Sequence, residues 1–165
     1  MFCKMKIYAF IDSQNLNLAV QNCGWKLDLR KFYIYLREKY NVEKIFLFLG
    51  YLKTNENFYS ILKAIGYEIV FKPTVESHGR VIKGNCDAEL VLHCMIEFEN
   101  FDKAVIVSGD GDFYCLAEYL KKTDKLFKWG IPNKRRFSSL LREFNDFHFY
   151  VSRLKHLLEY KKREA

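Results

Sequence analysis

Three aspartates stand where apolar strands of this chain run out. KIYAFIDSQN carries an apolar run to Asp12, with Asn15 just beyond it, and KAVIVSGDGDF carries another to Ser108, Asp110 and Asp112. In both runs the apolar residues are consecutive rather than alternating, the pattern of parallel strands buried on both faces. In open α/β sheets, ligands bind beyond the carboxyl ends of the strands, where the strand order reverses. Carboxylates delivered together to such an edge suggest a divalent-cation site, because hard cations such as Mg²⁺ take oxygen ligands. An aspartate between strand and helix is also a good helix cap, accepting hydrogen bonds from the first free amides. Capping accounts for Asp12 or Asp110 taken singly. It does not account for Asp110 and Asp112 flanking Gly111, nor for Asn15 placed beside Asp12.

A fourth acid opens a helix that runs from Cys86 to Glu99 in KGNCDAEL and the residues after it. At about 100° per residue, Leu90, Val91, Cys94 and Phe98 all lie within about 60° of the direction of Asp87. Asp87 therefore shares the buried stripe at the first turn, where it can join the strand-end acids. The alternative is a first-turn acid facing the helix dipole, worth about 0.3–1 kcal/mol. Glu89, His93 and Glu97 recur at helical spacing as a separate stripe, read as a solvated face.

The elements that must position these acids alternate from end to end. Strands are expected over Lys6 to Ile11, Lys44 to Leu49, Tyr67 to Phe71, Ala104 to Val107 and Lys125 to Trp129, with a sixth over Phe147 to Val151. Helical spacing fills the intervals: Ser13 to Asn22, Asp28 to Lys39 with Asp28 as cap or first-turn acid, Glu56 to Ile65, the Cys86 helix, and Asp112 to Lys121. After the basic turn PNKRR a helix is expected through Glu143, and a closing helix over about 152–160. This alternation implies one α/β domain over residues 1–165, with a mainly parallel sheet of five or six strands and helices on both faces. TVESHGRVIKGN, from Thr74 to Asn85, is the longest stretch without periodicity, and such loops tend to carry function.

Composition narrows the partners. At 165 residues the chain can bury a full core, and no apolar run approaches the roughly 20 residues of a membrane span. The N-terminus lacks the order of a signal peptide, so a cytoplasmic protein is expected. Its five cysteines are odd in number and never form a CxxC pair, which argues against a disulfide framework or a structural zinc. Reduced, mostly buried thiols are expected instead. A net charge of +7 and a pI near 9.1 favour a polyanionic partner, nucleic acid first among them.

FIDSQN, KGNCDAEL and VIVSGDGDF, in that order and spacing, resemble the NYN/LabA-like branch of the PIN-domain nucleases, and the alternating elements match a PIN-like domain over nearly the whole chain. The resemblance implies an Mg²⁺- or Mn²⁺-dependent ribonuclease with a sheet ordered 3-2-1-4-5. It assigns the metal-holding, catalytic acids to Asp12, Asp87, Asp110 and Asp112. It matches Asn15 to the family asparagine and Ser108 to the small hydroxyl residue before the acidic pair. Both are read as groups that orient substrate or an outer water rather than as metal ligands. Two departures stand out. Ser13 replaces the usual glycine, and His93 occupies the place of a frequent second helix aspartate. An imidazole there would favour Mn²⁺ over Mg²⁺.

The chemistry that follows is metal-assisted hydrolysis of RNA phosphodiester bonds. Lys83 is a candidate phosphate contact. Lys134, Arg135 and Arg136 would track the RNA backbone, or form a solvated charge run. A non-catalytic RNA- or protein-binding module on the same fold is one rival, and another Mg²⁺-dependent phosphoryl-transfer enzyme is the other. FIDSQN lacks the DxD start of a haloacid-dehalogenase-like phosphatase, and no glutamate-ended strand precedes DGD as a Toprim pair requires. A homo-oligomer and an antitoxin or other protein partner stay open.

Overall fold

The first strand, β1 (Ile7–Asp12), is buried at all six positions, which demands cover on both faces of the sheet. The structure, a computed structural model, describes residues 3–77, 80–82 and 87–162, with 75–77 and 80–82 described for their backbone only. β1 leads into α1 (Ser13–Gln21) and α2 (Leu29–Tyr40), then β2 (Lys44–Gly50), α3 (Glu56–Ile65) and β3 (Glu68–Lys72). A hairpin of β4 (Val75–Ser77) and β5 (Arg80–Ile82) precedes α4 (Asp87–Ile96), β6 (Lys103–Val107), α5 (Tyr114–Lys122), β7 (Leu126–Ile131), β8 (His148–Tyr150) and α6 (Lys155–Leu158).

The six main strands form one all-parallel sheet in the order β3-β2-β1-β6-β7-β8. Counted along the sheet this is 3-2-1-4-5-6, the order expected with the sixth strand added at the edge. β1 and β6 lie side by side at the point where the order reverses, and their register pairs Ile11 with Val107. One residue further on, Asp12 and Ser108 leave the sheet together.

Strand parity splits the core in two. Ile7, Ala9 and Ile11 face the α1–α2–α3 side with Leu16, Val20, Phe32, Leu36 and Leu62. Tyr8 and Phe10 face the α4–α5 side with Phe46, Leu90, Cys94, Phe113 and Leu116. Because side chains alternate along a strand, Asp12 leaves the sheet on the same side as Phe10, towards α4.

Several local expectations are corrected. The aperiodic stretch from Thr74 contains the antiparallel β4–β5 hairpin, with Val75 opposite Ile82 and Ser77 opposite Arg80. Such three-residue strands are too short for alternation to show. Lys83, Asn85 and Cys86 lie outside the described residues. The helix expected through Glu143 is instead a run of 3-10 turns over Ser139–Phe147, burying Leu141 and Phe144 at the three-residue spacing that suits that geometry. The closing helix is shorter than 152–160: a 3-10 turn at Val151–Leu154 leads into α6. It stops because the backbone at 158–160 pairs with 26–28, through Asp28 N–H to Leu158 O (2.8 Å) and Tyr160 N–H to Lys26 O (2.8 Å). Of the described cysteines only Cys94 is buried, while Cys3 and Cys115 are exposed.

The stripe Glu89–His93–Glu97 is not a solvated face. The three residues are half-buried, Glu89 lies 3.6 Å from Lys72 Nζ, and the His93 ring packs 4.7 Å from Phe46 and 5.7 Å from Phe48. The aromatic side chains of β2 give the imidazole a surface to lie on, and Leu92 and Ile96 take the exposed side of α4 instead. Among the described residues no helix is long and apolar enough to cross a membrane.

Candidate metal centre

Local chemistry at the strand ends makes Asp12 and Asp110 caps before they can be anything else. Asp12 is the N-cap of α1, its Oδ1 accepting the Asn15 N–H at 3.2 Å. Asp110 caps the turn that follows β6, its Oδ1 accepting the Asp112 N–H at 3.0 Å. Asp28 likewise caps α2, as its place before that helix suggests. The two readings of Asp12 and Asp110 are therefore compatible. A cap uses one side of a carboxylate and fixes where the other side points.

Ser108 ties the two strand ends together. Its hydroxyl donates to Asp12 Oδ2 at 3.3 Å and accepts the Asp110 N–H at 3.1 Å. Trp129 Nε1 donates to the Ser108 carbonyl at 2.8 Å, anchoring the same residue from β7. Ser108 is wholly buried and both its hydroxyl bonds go to the acidic framework. It holds the two acids in place, its hydroxyl facing them rather than the solvent. Asn15 turns its side-chain oxygen inward to accept the Gly109 N–H at 2.8 Å. That bond leaves the amide nitrogen of Asn15, a half-buried residue, as the donor it can present outward.

The acids converge in two layers. One carboxylate oxygen from each of Asp87, Asp110 and Asp112 lies within 4.8 Å of the other two, spacing that one cation could bridge. Asp87 and Asp110 are half-buried and Asp112 is exposed, so this trio opens to solvent. Asp12 sits behind it, only 6% exposed. Burial pushes the Asp12 carboxyl up to about 6; the Asn15 N–H opposes this, the Asp87 charge adds to it, the Ser108 hydroxyl opposes it and the Asp110 charge adds again. Of the four acids singled out in the sequence, Asp87, Asp110 and Asp112 form the tight trio, and Asp12 is coupled to it through space and through Ser108. His93 is not part of the group.

Donor chemistry fits a hard divalent cation: every ligand atom in the trio is a carboxylate oxygen, the set that suits Mg²⁺ or Mn²⁺ and not a soft metal. Backbone proximity holds the loop in shape. A Cβ on Gly111 would strike Ser138 Oγ and lie 2.9 Å from Ser138 Cβ, so the 132–138 segment can close over the acidic loop only with glycine between the two aspartates. The Ser138 N–H donates to the Gly109 carbonyl at 3.0 Å to complete that closure.

The same segment links the acids to the basic residues singled out in the sequence. Lys134, Arg135 and Arg136 line a cleft of about 900 Å³ together with Arg153 and Lys155. Among the described residues no acid lines it, and Asn22, Asn133 and Ser152 supply further polar groups. Arg153 and Lys155 gave no sequence signal, because they sit apart from PNKRR in a short terminal turn. They arrive through β8: the Ser152 N–H donates to Pro132 O at 3.0 Å, and the Lys134 N–H donates to Ser152 Oγ at 3.1 Å.

Comparison with known proteins agrees with this architecture. A family model described as NYN domain matches residues 6–157. The chain is 28% identical over 130 residues to "Low amplitude and bright protein LabA" of Synechococcus elongatus, an alignment covering 73% of this chain and 70% of that one. Its fold superposes with a TM-score of 0.76 on the crystal structure of a protein of unknown function from Vibrio parahaemolyticus, covering 96% of this chain and 99% of that one. At 23% identity this second likeness is one of fold.

Proposed function

The chain belongs to the NYN domain family, whose members are generally nucleases, and from that premise we propose that it is a metal-dependent ribonuclease hydrolysing RNA phosphodiester bonds. The observation that carries the reading is the acidic trio Asp87, Asp110 and Asp112, open to solvent at the sheet edge. The segment after β7 that packs on the acidic loop also carries part of a cleft lined by five cations. The trio would hold one Mg²⁺ or Mn²⁺ ion, with Asp12 as the buried charge behind it. Such an ion, when bound, lowers the pKa of water and offsets charge building on the phosphate.

The remaining work falls to the protein's own groups. Ser108 keeps Asp12 and Asp110 at a fixed separation, so the acids need not reorganise when substrate arrives. The Asn15 amide nitrogen is the donor for a non-bridging phosphate oxygen. Lys134, Arg135, Arg136, Arg153 and Lys155 draw the polyanion to this edge and hold one flank of it. An RNA substrate fits a cytoplasmic site of action.

Incubation of the purified protein with end-labelled single-stranded RNA tests the reading. Cleavage is expected with Mn²⁺ or Mg²⁺ and none with EDTA. Binding without cleavage under either metal would replace the enzyme by a binding module on the same fold. Cleavage indifferent to EDTA would remove the metal from the mechanism.

A further inference from the structure

A second cleft, of about 970 Å³ and with more apolar surface than the basic one, is bounded by α1, the segment entering α2, the outer side of α3 and the chain beyond α6. Leu27, Leu62 and Ile65 form its floor, and Phe58 and Ile61 stand on its shoulder with 43% and 54% of their surfaces exposed. Phe58, Ile61, Leu62 and Ile65 recur along α3 at helical spacing, so the apolar stripe of this helix is wider than the core requires. Exposed shoulder residues beside a groove are the geometry that receives an amphipathic helix.

The rim decides what kind of helix. Lys26, Arg30, Lys161 and Lys162 surround the groove, all exposed. Among the described residues none of the four takes part in an ion pair. Among the described residues the one acid in the lining, Asp28, is engaged in capping α2, accepting the N–H groups of Arg30 (2.9 Å) and Lys31 (3.1 Å). An aliphatic floor ringed by free cations is complementary to an acidic amphipathic segment. Nucleic acid fits it less well, because bases bind on open aromatic faces. Tyr160 has the Lys26 ammonium 4.8 Å above its ring. Among the described lining residues that leaves Phe58 as the open ring.

We propose that this groove is a docking site for an acidic amphipathic helix of a protein partner, with apolar residues at i, i+3 and i+7 seated on Phe58, Ile61 and Ile65 and carboxylates meeting the four-cation rim. The stripe from Phe58 to Ile65 spans about 10 Å of helix, so a partner of two to three turns suffices.

A displayed library of random 16-residue peptides, selected on the intact protein and counter-selected on Ile61→Glu, tests this. Ile61 is exposed, so the variant should keep the wild-type melting temperature and its RNA cleavage, which separates failure here from failure of the nuclease reading. The expected winners are net acidic, with apolar residues at i, i+3 and i+7. A synthetic winner should bind at least 10-fold more weakly to Ile61→Glu and to the double variant Lys161→Glu, Lys162→Glu. No enrichment, neutral or basic winners, or binding indifferent to these substitutions would overturn the proposal. Displacement of the peptide by single-stranded RNA would assign the groove to nucleic acid, and weakening of peptide binding through self-association would assign it to a second copy; either outcome also overturns it.

Discussion

The Ser108 hydroxyl donates to Asp12 Oδ2 across 3.3 Å, joining the ends of two neighbouring strands inside a fully buried contact. The same oxygen accepts the Asp110 N–H, so one atom sets the distance between an acid behind the trio and an acid within it. Ser108→Ala leaves a buried carboxylate oxygen and a backbone N–H without partners. The fold should lose about 1–3 kcal/mol, the usual cost of such orphaned groups. Cleavage should fall more than RNA affinity does, since the cations of the basic cleft are untouched. Thermal melts and single-turnover rates on one preparation check both effects; an unchanged rate would make Ser108 a packing residue only.

Asp12 contributes a pH dependence to the metal-free fold. Its carboxyl is raised from 3.8 to about 6, burial first among the causes. The folded state therefore binds more protons than the unfolded chain between those values, and this group's contribution to stability is greatest below 4. It declines as pH rises towards 6 and is level above that. A shift of this size corresponds to roughly 3 kcal/mol. Asp12→Asn should thus be more stable than the wild type at pH 7 in EDTA, with the gap closing as pH falls from 6 to 4. Paired melts across that range give the answer, and a gap independent of pH would mean that Asp12 ionises normally.

Much of this site was legible because its determinants are local. A consecutive apolar run ending in Asp12, and another ending in Ser108 and Asp110, identify two buried parallel strands and the edge where they finish. Helical phase brought Asp87 to the correct side of its helix, where Leu90 and Cys94 are buried as expected. What stayed hidden depends on contacts distant in sequence. The inward turn of His93 is decided by Phe46 and Phe48 of β2, and no pattern within α4 announces it. Arg153 and Lys155 reach the basic cleft only because Ser152 bonds the segment after β7. The layering of the acids, with Asp112 in the trio and Asp12 behind it, follows from side-chain directions that spacing does not encode.

The basic cleft makes a quantitative claim about salt. If its cations neutralise RNA phosphates, log K should fall against log salt with a slope of about −0.7 per contact on single strands. Replacing Arg135 and Arg136 together by Gln should flatten that slope by roughly one to two units. Arg153→Gln, which no sequence pattern singled out, should flatten it by a further fraction of a unit or more. Fluorescence-anisotropy titrations over a range of KCl concentrations measure each slope. Slopes identical to the wild type would return these residues to an ordinary solvated surface.

Asp110→Asn separates the cap from the metal ligand. Asparagine caps a turn nearly as well as aspartate, so the bond to the Asp112 N–H survives and the local fold is kept. The substitution removes one of the charges crowded beside Asp87, Asp112 and the buried Asp12, whose mutual repulsion the metal-free fold carries. In EDTA the variant should melt at the wild-type temperature or above it. The addition of Mn²⁺ should reverse the order, because a ligand at 100 times its Kd stabilises the folded state by about 2.7 kcal/mol and the variant binds it less well. Cleavage should drop by about 100-fold or more, the scale of several kcal/mol of charge stabilisation lost at the phosphate. Melts with and without Mn²⁺, alongside cleavage at saturating RNA, read all three quantities. A variant that cleaves like the wild type and responds equally to Mn²⁺ would leave Asp110 a helix cap and nothing more.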